Sequence, residues 1–203
     1  MHYLKIIAAT LLLATLPAGQ EPLPAEIKFE GKQKEVLKWD DAEGKHLLLL
    51  TETGPHTNKK FKHDSDGTDA ELFAYHYLYD ASSKKYLQTW KVYDYINDCI
   101  VDMRVNFVPK AATHTDLNKN GIPEIWVVYQ LQCTGDITPP DMKIIMYEGN
   151  SKYAVRGNRG LIVDKKVHVK AHHTFDKALN TADPAVKDFA NKLWKKHEDF
   201  KYE

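Results

Sequence analysis

Two runs of alternating apolar and polar residues, each containing one of the chain's two cysteines, constrain the fold most strongly. The apolar positions of the first run are Cys99, Val101, Met103, Val105 and Phe107, and those of the second are Ile125, Val127, Tyr129, Leu131 and Cys133. An alternation with a period of two residues predicts half-buried β-strands, because successive side chains of a strand point to opposite faces.

The two runs also predict a disulfide between Cys99 and Cys133. If they pair as antiparallel strands about Asp116, Cys99 lies opposite Cys133 in the same register that sets Phe107 opposite Ile125. A disulfide closing this loop would stabilise the fold by about 3–4 kcal/mol. Two separate buried thiols are the alternative, and the absence of a Cys-x-x-Cys motif gives no indication of a redox role.

Further short runs with turn-forming residues between them predict a mainly β domain over residues 26–203. The additional strands are predicted near residues 26–30, 35–39, 46–51, 71–79, 86–95, 142–148, 152–156 and 161–170, with a polar loop over 53–69. The expected architecture is an antiparallel sandwich or a propeller-blade-like sheet.

The end of the chain changes character and predicts an α-helix over residues 184–197. Asp183 is a favourable N-cap, and Pro184 suits the first helical position. Apolar residues then recur at helical spacing, so one face of the helix is expected to pack on the sheet.

The N-terminus has the pattern of a secretory signal peptide. Lys5 precedes the apolar run 6–16, and small residues follow, so cleavage is predicted after Ala18. The run is too short for a transmembrane helix, which needs about 20 apolar residues; a buried N-terminal helix is the alternative. We expect a signal peptide 1–18, a flexible lead-in 19–25, and a periplasmic or cell-surface protein with no transmembrane segment after cleavage.

The charge balance gives no reason to expect a nucleic-acid partner. The chain has 28 basic and 28 acidic residues, whereas nucleic-acid binding needs a basic surface to offset the phosphates. Catalytic signatures such as Gly-x-Ser-x-Gly and His-Glu-x-x-His are not present in the sequence.

Oxygen-bearing side chains at alternate positions predict a calcium loop over residues 116–124. The candidate ligands are Asp116, Asn118, Asn120, the carbonyl of Ile122, and Glu124. The segment resembles the calcium loops of FG-GAP repeats, although Asn120 stands where those repeats usually have Asp. The loop then carries only two formal charges, which favours weak binding, and a hairpin closed by Asx turns is the alternative. Any calcium bound here is expected to be structural.

Two tryptophans are candidate ligand-binding residues. Trp90 and Trp126 fall on the less apolar faces of their predicted strands, where exposed rings can stack on sugars. The alternative is that both belong to the core of a second layer, as in any sandwich.

Three stretches together resemble a family of exported bacterial proteins whose label links it to surface-polysaccharide biosynthesis. They read DAELFAYHY at 69–77, TDLNKNGIPEIWV at 115–127, and CTGDITPPDMKIIMYEG at 133–149 continuing to KYAVRG at 152–157. The resemblance covers about residues 26–197, and it implies a role with surface polysaccharide but no catalytic residues.

The expected function is therefore a non-enzymatic envelope protein that supports or binds surface polysaccharide. One alternative is a glycan-modifying enzyme with paired carboxylates drawn from Asp64, Asp66 or Asp136. A second alternative is a structural partner of other envelope proteins, which an exposed apolar patch or sheet edge would indicate.

Overall fold

The computed structural model describes residues 22–202, so the predicted signal peptide and residues 19–21 of the lead-in lie outside the described part. The strands are β1 (Lys32–Asp40), β2 (Lys45–Glu52), β3 (Thr68–Asp80), β4 (Lys85–Cys99), β5 (Asp102–Phe107), β6 (Thr113–Thr115), β7 (Glu124–Thr134), β8 (Asp141–Glu148), β9 (Ser151–Asn158), β10 (Gly160–Val163), β11 (Lys166–Val169), β12 (His172–Phe175) and β13 (Asp199–Tyr202). The helices are α1 (Lys177–Asn180) and α2 (Pro184–His197).

The strands form three sheets. The first sheet has the order β1-β2-β3-β4, and the second has the order β12-β9-β8-β7-β5, with β6 also paired to β7. A small third sheet has the order β11-β10-β13, in which β10 and β13 run parallel; the other pairs are antiparallel. The predicted class, a mainly β antiparallel fold with a C-terminal helix, is confirmed, and the sheets of the described chain do not close into a barrel.

The first and second sheets pack face to face on a shared core. Leu48 and Leu50 of β2 belong to the same buried cluster as Val127 of β7 and Ile145 of β8. Each such side chain, when fully buried, contributes about 1.5–3 kcal/mol. The two sheets therefore form a sandwich.

The run Leu47–Leu50 is buried on both faces because the first sheet is covered on both sides. Leu48 and Leu50 face the second sheet, whereas Leu47 and Leu49 lie in a separate cluster with Leu23 and Ile27 of the N-terminal segment. Residues 26–30, predicted as a strand, form no strand and instead cross this outer face. A hydrogen bond from the Ile27 N–H to the Pro24 carbonyl closes a turn there.

The helix α2 occupies the predicted residues and covers the outer face of the second sheet. The Asp183 carboxylate accepts a hydrogen bond from the Ala185 N–H and caps the first turn, with Pro184 at the start of the helix. Trp194 is fully buried in a cluster with Val128 and Ile144 of the sheet. The apolar stripe of the helix thus forms a third layer.

The disulfide between Cys99 and Cys133 is confirmed, with Cα atoms 6.0 Å apart. The predicted register is wrong, because Met103, not Cys99, lies opposite Cys133 in the β5–β7 ladder. Cys99 is the last residue of β4, and the chain bends before β5 begins. The predicted register assumed one continuous strand, whereas the bend leaves Cys99 on the first sheet and Met103 on the second.

The segment predicted as a single strand over 161–170 is a tight hairpin of β10 and β11. Asp164 and Lys165 both adopt positive φ angles, 48° and 63°, which is the conformation of a type I′ turn. Such turns are usually marked by Asn-Gly or Asp-Gly, and the absence of glycine explains why the sequence pattern did not reveal the turn.

Among the described residues, the structure contains no helix long and apolar enough to cross a membrane.

Candidate functional site

The predicted calcium loop joins β6 to β7, and its side chains fold back onto the backbone of the loop. Asp116 accepts hydrogen bonds at both carboxylate oxygens, from the N–H of Asn120 at 3.1 Å and from that of Gly121 at 3.2 Å. Asn118 Oδ1 accepts from the same Asn120 N–H at 3.1 Å, and Asn120 Oδ1 accepts from the Ile122 N–H at 2.8 Å. The structure therefore contains the Asx turns expected under the alternative interpretation.

Glu124, the last predicted ligand, lies at the base of the loop and is fully buried. Its carboxylate accepts hydrogen bonds from the Thr115 hydroxyl at 2.7 Å, from the Leu117 N–H at 2.9 Å and from the Asn118 N–H at 3.4 Å. Because both of its oxygens are shared among these donors, Glu124 fastens the loop to the start of β7.

A carboxylate from a neighbouring strand also binds the loop through hydrogen bonds. Glu148 of β8 lies opposite Glu124 in the ladder, and its Oε1 accepts hydrogen bonds of 2.6 Å from the side-chain amides of both Asn118 and Asn120. Local spacing could not reveal Glu148, because only strand pairing brings it to the loop. Within residues 22–202, no group of three or more His, Cys, Asp or Glu side chains is placed to hold a metal ion.

The sugar-stacking role predicted for Trp90 and Trp126 is wrong, because that role needs exposed rings. Trp126 is fully buried against Phe189 of α2, and its indole N–H donates to the Thr115 hydroxyl at 2.9 Å. Trp90 is 7% exposed and is stacked on Tyr147. Both tryptophans belong to the core, as the alternative interpretation expected: Trp90 of β4 lies in the cluster between the two sheets, and Trp126 lies between the second sheet and α2.

The carboxylates suggested for a glycosidase-like pair are exposed. Asp64 forms an ion pair of 2.6 Å with Lys62, and Asp66 is also exposed in the loop before β3. Asp136 lies in a recess of about 80 Å³ beside Asp102, well below the roughly 300–1,000 Å³ of sites for ligands as large as an oligosaccharide.

Two buried carboxylates of β3 instead hold the 53–67 loop against the first sheet, and we call Asp69, Glu71, His56 and His63 the loop anchor. The fully buried Asp69 accepts from the Asn58 N–H at 2.6 Å and from His63 Nε2 at 2.9 Å. Burial opposes ionisation of Asp69, but these hydrogen bonds outweigh it and leave its pKa below the usual value.

Glu71 of the loop anchor is satisfied in the same way. It lies 3.1 Å from His56 Nε2, and it accepts hydrogen bonds of 2.8 Å from the Asn58 amide and from the Tyr93 hydroxyl. Burial raises the pKa of Tyr93, and the hydrogen bond to Glu71 raises it further. The alternation of Asp69 and Glu71 with apolar residues in β3 is the only sequence signal for this cluster.

Four side chains form one continuous hydrogen-bonded chain, which we call the relay: Asp41, His46, His76 and Thr89. The Asp41 carboxylate lies 2.8 Å from His46 Nε2, and His46 Nδ1 lies 3.0 Å from His76 Nε2. The chain ends where His76 Nδ1 lies 2.6 Å from the Thr89 hydroxyl. Both imidazoles are buried, whereas Thr89 is exposed.

The ionisation of Asp41, together with a neutral His46, sets the direction of the hydrogen bonds in the relay. Burial opposes this ionisation, but hydrogen bonds from His46, the Glu43 N–H and Trp39 outweigh it, so the pKa of Asp41 lies below its usual value. A neutral His46 must then donate from Nε2 and accept at Nδ1. His76 consequently donates from Nε2 and accepts the Thr89 proton at Nδ1.

The imidazoles of the relay lie within a column of stacked rings between the two sheets. Neighbouring centroids are 4.4–5.2 Å apart along the series His114, Trp39, His46, His76, Trp90 and Tyr147. Burial lowers the pKa of His76 to about 3, and the neighbouring His46 adds to this effect. His76 is therefore neutral at neutral pH, with one donor and one acceptor nitrogen, and stacking fixes the orientation of its ring.

The exposed end of the relay opens into a pocket of about 190 Å³, which we call the relay pocket. Its lining residues are Glu43, His46, His76, Leu78, Thr89, Trp90, Pro123, Ile125, Gly149 and Asn150. Pro123 belongs to the predicted calcium loop, so the loop forms part of one wall. Sequence reasoning missed the relay because its members are separated along the chain and meet only through strand pairing.

A larger opening, which we call the open cleft, lies at the junction of β1, β2 and β5. It has a volume of about 600 Å³ and is lined by Lys34, Glu35, Glu52, Asn106, Phe107, Pro109 and Lys110. Glu52 accepts from the Phe107 N–H at 2.8 Å and pairs with Lys34 at 3.2 Å. Burial raises the pKa of Glu35, against the opposing effect of Lys110.

No protein-family model matches this chain, and no curated protein or solved structure is significantly similar to it. The resemblance to the surface-polysaccharide family therefore stays a prediction from sequence, and function is inferred from the geometry of the sites.

Proposed function

We propose that this chain is an exported envelope protein whose open cleft binds surface polysaccharide without modifying it. The observation that carries this proposal is the cleft itself, whose volume of about 600 Å³ lies within the roughly 300–1,000 Å³ of small-molecule sites. The disulfide supports an extracytoplasmic location, because disulfides persist in oxidising compartments.

The chemistry of the cleft suits a saccharide that carries charge. Lys34 and Lys110 offer cationic donors, and Glu52 offers a buried carboxylate oriented by an ion pair and a backbone N–H. The exposed ring of Pro109 provides an apolar surface beside them. We therefore propose oligosaccharides with uronic-acid or amino-sugar units as the ligand class.

Calcium is the cation that we propose for the 116–124 loop, where its role would be structural. Calcium takes six to eight oxygen ligands, and each loop oxygen that accepts one N–H has a second lone pair. Turning the amides of Asn118 and Asn120 by half a rotation would bring their oxygens beside Glu148, where their N–H groups now lie. Asp116, the Ile122 carbonyl and these three residues would supply the ligands, while Glu124 holds the loop.

The test of the cleft is calorimetric titration of the mature protein with uronic-acid and amino-sugar oligosaccharides. We expect one class to bind, and Glu52→Gln or Lys110→Gln to weaken its binding by at least about tenfold, since one lost polar contact costs about 1.4 kcal/mol or more. Lys152→Gln, an exposed change on β9, is the matched control. Failure of both classes to bind, or equal effects of all three substitutions, would contradict the proposal.

A second candidate function is glycan modification, which the two different carboxyl groups of the cleft favour. Burial raises the pKa of Glu35, whereas Glu52 is paired with Lys34 as a carboxylate. A pair of carboxyl groups in contrasting environments is the arrangement that supplies a general acid and a general base. The pair differs from the three carboxylates that the sequence suggested.

The variant Glu35→Gln distinguishes polysaccharide binding from glycan modification in the open cleft. If the cleft is catalytic, this substitution leaves oligosaccharide binding intact but abolishes the release of new reducing ends from the bound polysaccharide. If the cleft only binds, the wild-type protein releases no reducing ends, and Glu35→Gln changes affinity alone.

A further inference from the structure

The structure places a hydrogen-bonded carboxylate, two imidazoles and a hydroxyl in series, with both imidazoles buried and the hydroxyl exposed. We propose that the relay is catalytic and that Thr89 is the nucleophile in the hydrolysis of short acyl esters. This activity is independent of the open cleft and of polysaccharide binding there.

The position of Thr89 in its strand is the first support. Trp90 pairs with His76 and Gln88 pairs with Tyr77, so Thr89 is an extra residue without a partner across the β3–β4 ladder. Such a β-bulge re-aims a side chain, and bulges are over-represented beside active sites. Here the bulge brings the hydroxyl of Thr89 to within 2.6 Å of His76 Nδ1.

The direction of the relay is the second support. When His46 is neutral and keeps its proton on Nε2 beside Asp41, each later group in the chain donates toward Asp41. In that arrangement the Thr89 hydroxyl donates its single proton to His76 Nδ1 rather than to the His76 carbonyl, the other acceptor within its reach. A nucleophilic hydroxyl bonded to an imidazole that a further group orients is the general arrangement of activated nucleophiles.

The second hydrogen bond of Thr89 is the third support. Its hydroxyl also lies 3.2 Å from the His76 carbonyl oxygen. When His76 Nδ1 carries hydrogen, the Thr89 hydroxyl accepts from it and donates to this carbonyl instead. The site thus contains a partner for Thr89 in both protonation states of the relay.

In the first chemical step, Thr89 Oγ1 attacks the ester carbonyl carbon and its proton passes to His76 Nδ1. The proton on His76 Nε2 passes to His46 Nδ1, so the positive charge comes to rest on His46 beside Asp41. When the tetrahedral intermediate collapses, the bond to the leaving alcohol breaks, and the protons return along the same path to that alcohol. The products are an acyl ester of Thr89 and the free alcohol.

In the second step, a water molecule attacks the acyl group and gives its proton to the relay by the same path. Thr89 leaves as the alcohol and recovers its proton, and a carboxylic acid is released. The net reaction consumes one ester and one water without any change in oxidation state. The relay pocket, at about 190 Å³, is smaller than sites for drug-sized ligands, so we assign it to a short acyl group such as acetyl.

The experiment uses the oxidised mature protein with two probes, p-nitrophenyl acetate and an alkyl fluorophosphonate. We expect release of p-nitrophenolate above the buffer rate, and a phosphonyl adduct on Thr89 located by mass spectrometry after loss of fluoride. Thr89→Val should lower the ester hydrolysis by at least about 100-fold, as expected for loss of an activated nucleophile, whereas Thr89→Ser should retain activity and labelling.

Thr57→Val, a change of the same kind at another exposed threonine, is the control and should behave as the wild type. Circular dichroism of Thr89→Val checks that the fold is kept, and the Ser variant gives a reading even if the Val variant fails to fold. The proposal is overturned if Thr89 is not labelled, or if Thr89→Val hydrolyses the ester as fast as the wild type.

Discussion

The relay and the loop anchor both pair buried histidine or carboxylate groups with hydrogen-bonding partners, but they differ in their arrangement. The loop anchor is closed around two buried carboxylates, whereas the relay is open at the exposed hydroxyl of Thr89. In the loop anchor, Asp69 and Glu71 receive all their hydrogen bonds from backbone N–H groups, imidazoles, an amide and a phenol. In the relay, the last donor is the exposed hydroxyl of Thr89, which opens onto a pocket.

This difference predicts that substitutions in the two networks have different consequences. A closed network satisfies buried charges and fixes a loop, so removing any member leaves another group unpaired. An open network can lose its terminal hydroxyl to solvent without burying an unpaired group, because water replaces it. We therefore expect the loop anchor to respond mainly in stability and the relay mainly in reactivity.

The largest effect is expected for Asp69→Ala in the loop anchor. This substitution leaves the Asn58 and Asp98 N–H groups and His63 without their acceptor, so we expect a loss of about 3–5 kcal/mol, typical of breaking a buried pair. Urea denaturation measures it. Asp41→Ala removes a partly exposed carboxylate from the relay and should lower the free energy of unfolding by clearly less. Equal losses in the two variants would contradict the proposed difference between the two networks.

The pH dependence of stability should distinguish the relay from the loop anchor. The unfolded chain protonates a histidine below pH 6.5, whereas folded His76 stays neutral to about pH 3. The unfolded state binds more protons in that window, so the free energy of unfolding falls as the pH falls, by up to about 1.4 kcal/mol per pH unit. Urea midpoints between pH 7 and pH 4.5 measure this slope.

The loop anchor contributes its own pH dependence in a lower window. Because the pKa of Asp69 is lowered from 3.8 in the folded state, its stabilisation is complete above that value and is lost as the pH falls through the folded pKa. His76→Gln should therefore flatten the slope from pH 6.5 to about pH 3 without changing the loss that Asp69 contributes at lower pH. An unchanged slope in this variant would show that His76 is not the group responsible.

A smaller effect is expected for Tyr93→Phe at the edge of the loop anchor. The change removes the hydroxyl donor of Glu71 at 2.8 Å and should cost about 1 kcal/mol, the typical net value of one hydrogen bond. Amide hydrogen exchange should show faster opening of the 53–67 loop and little change around His76. Faster exchange at both places would mean that the two networks are coupled.

The smallest effect on stability is expected for Thr89→Val in the relay. Thr89 is exposed, and water can take over its hydrogen bond to His76 Nδ1, so we expect a change below about 1 kcal/mol in urea denaturation. A loss of more than about 2 kcal/mol would make Thr89 a structural member of a closed network.

The sequence predicted what local patterns encode. Alternation gave the sandwich strands, Asp183 and Pro184 marked the start of α2, and the two cysteines pair as expected. Patterns that depend on neighbouring strands were not accessible, so the β5–β7 register was wrong and Trp126 was assigned to an exposed face although α2 covers it.

The candidate sites likewise depend on contacts between strands that local patterns do not reveal. The polar loop at 116–124 was visible because its side chains are consecutive, whereas Glu148 reaches it only across the β7–β8 ladder. His46 and His76 lie on paired strands, and the bulge that exposes Thr89 leaves no mark in residue type. Geometry between strands is therefore the information that the sequence did not supply.

The direction of the hydrogen bonds in the relay is tested most directly by nitrogen NMR of the two buried imidazoles at neutral pH. We predict that neutral His76 has its proton on Nε2 and a free Nδ1, that His46 donates to Asp41 from Nε2, and that Thr89→Val shifts the Nδ1 resonance of His76. A proton on Nδ1 of His76 would contradict this account, because Thr89 would then receive a hydrogen bond from His76 and its hydroxyl would have no base.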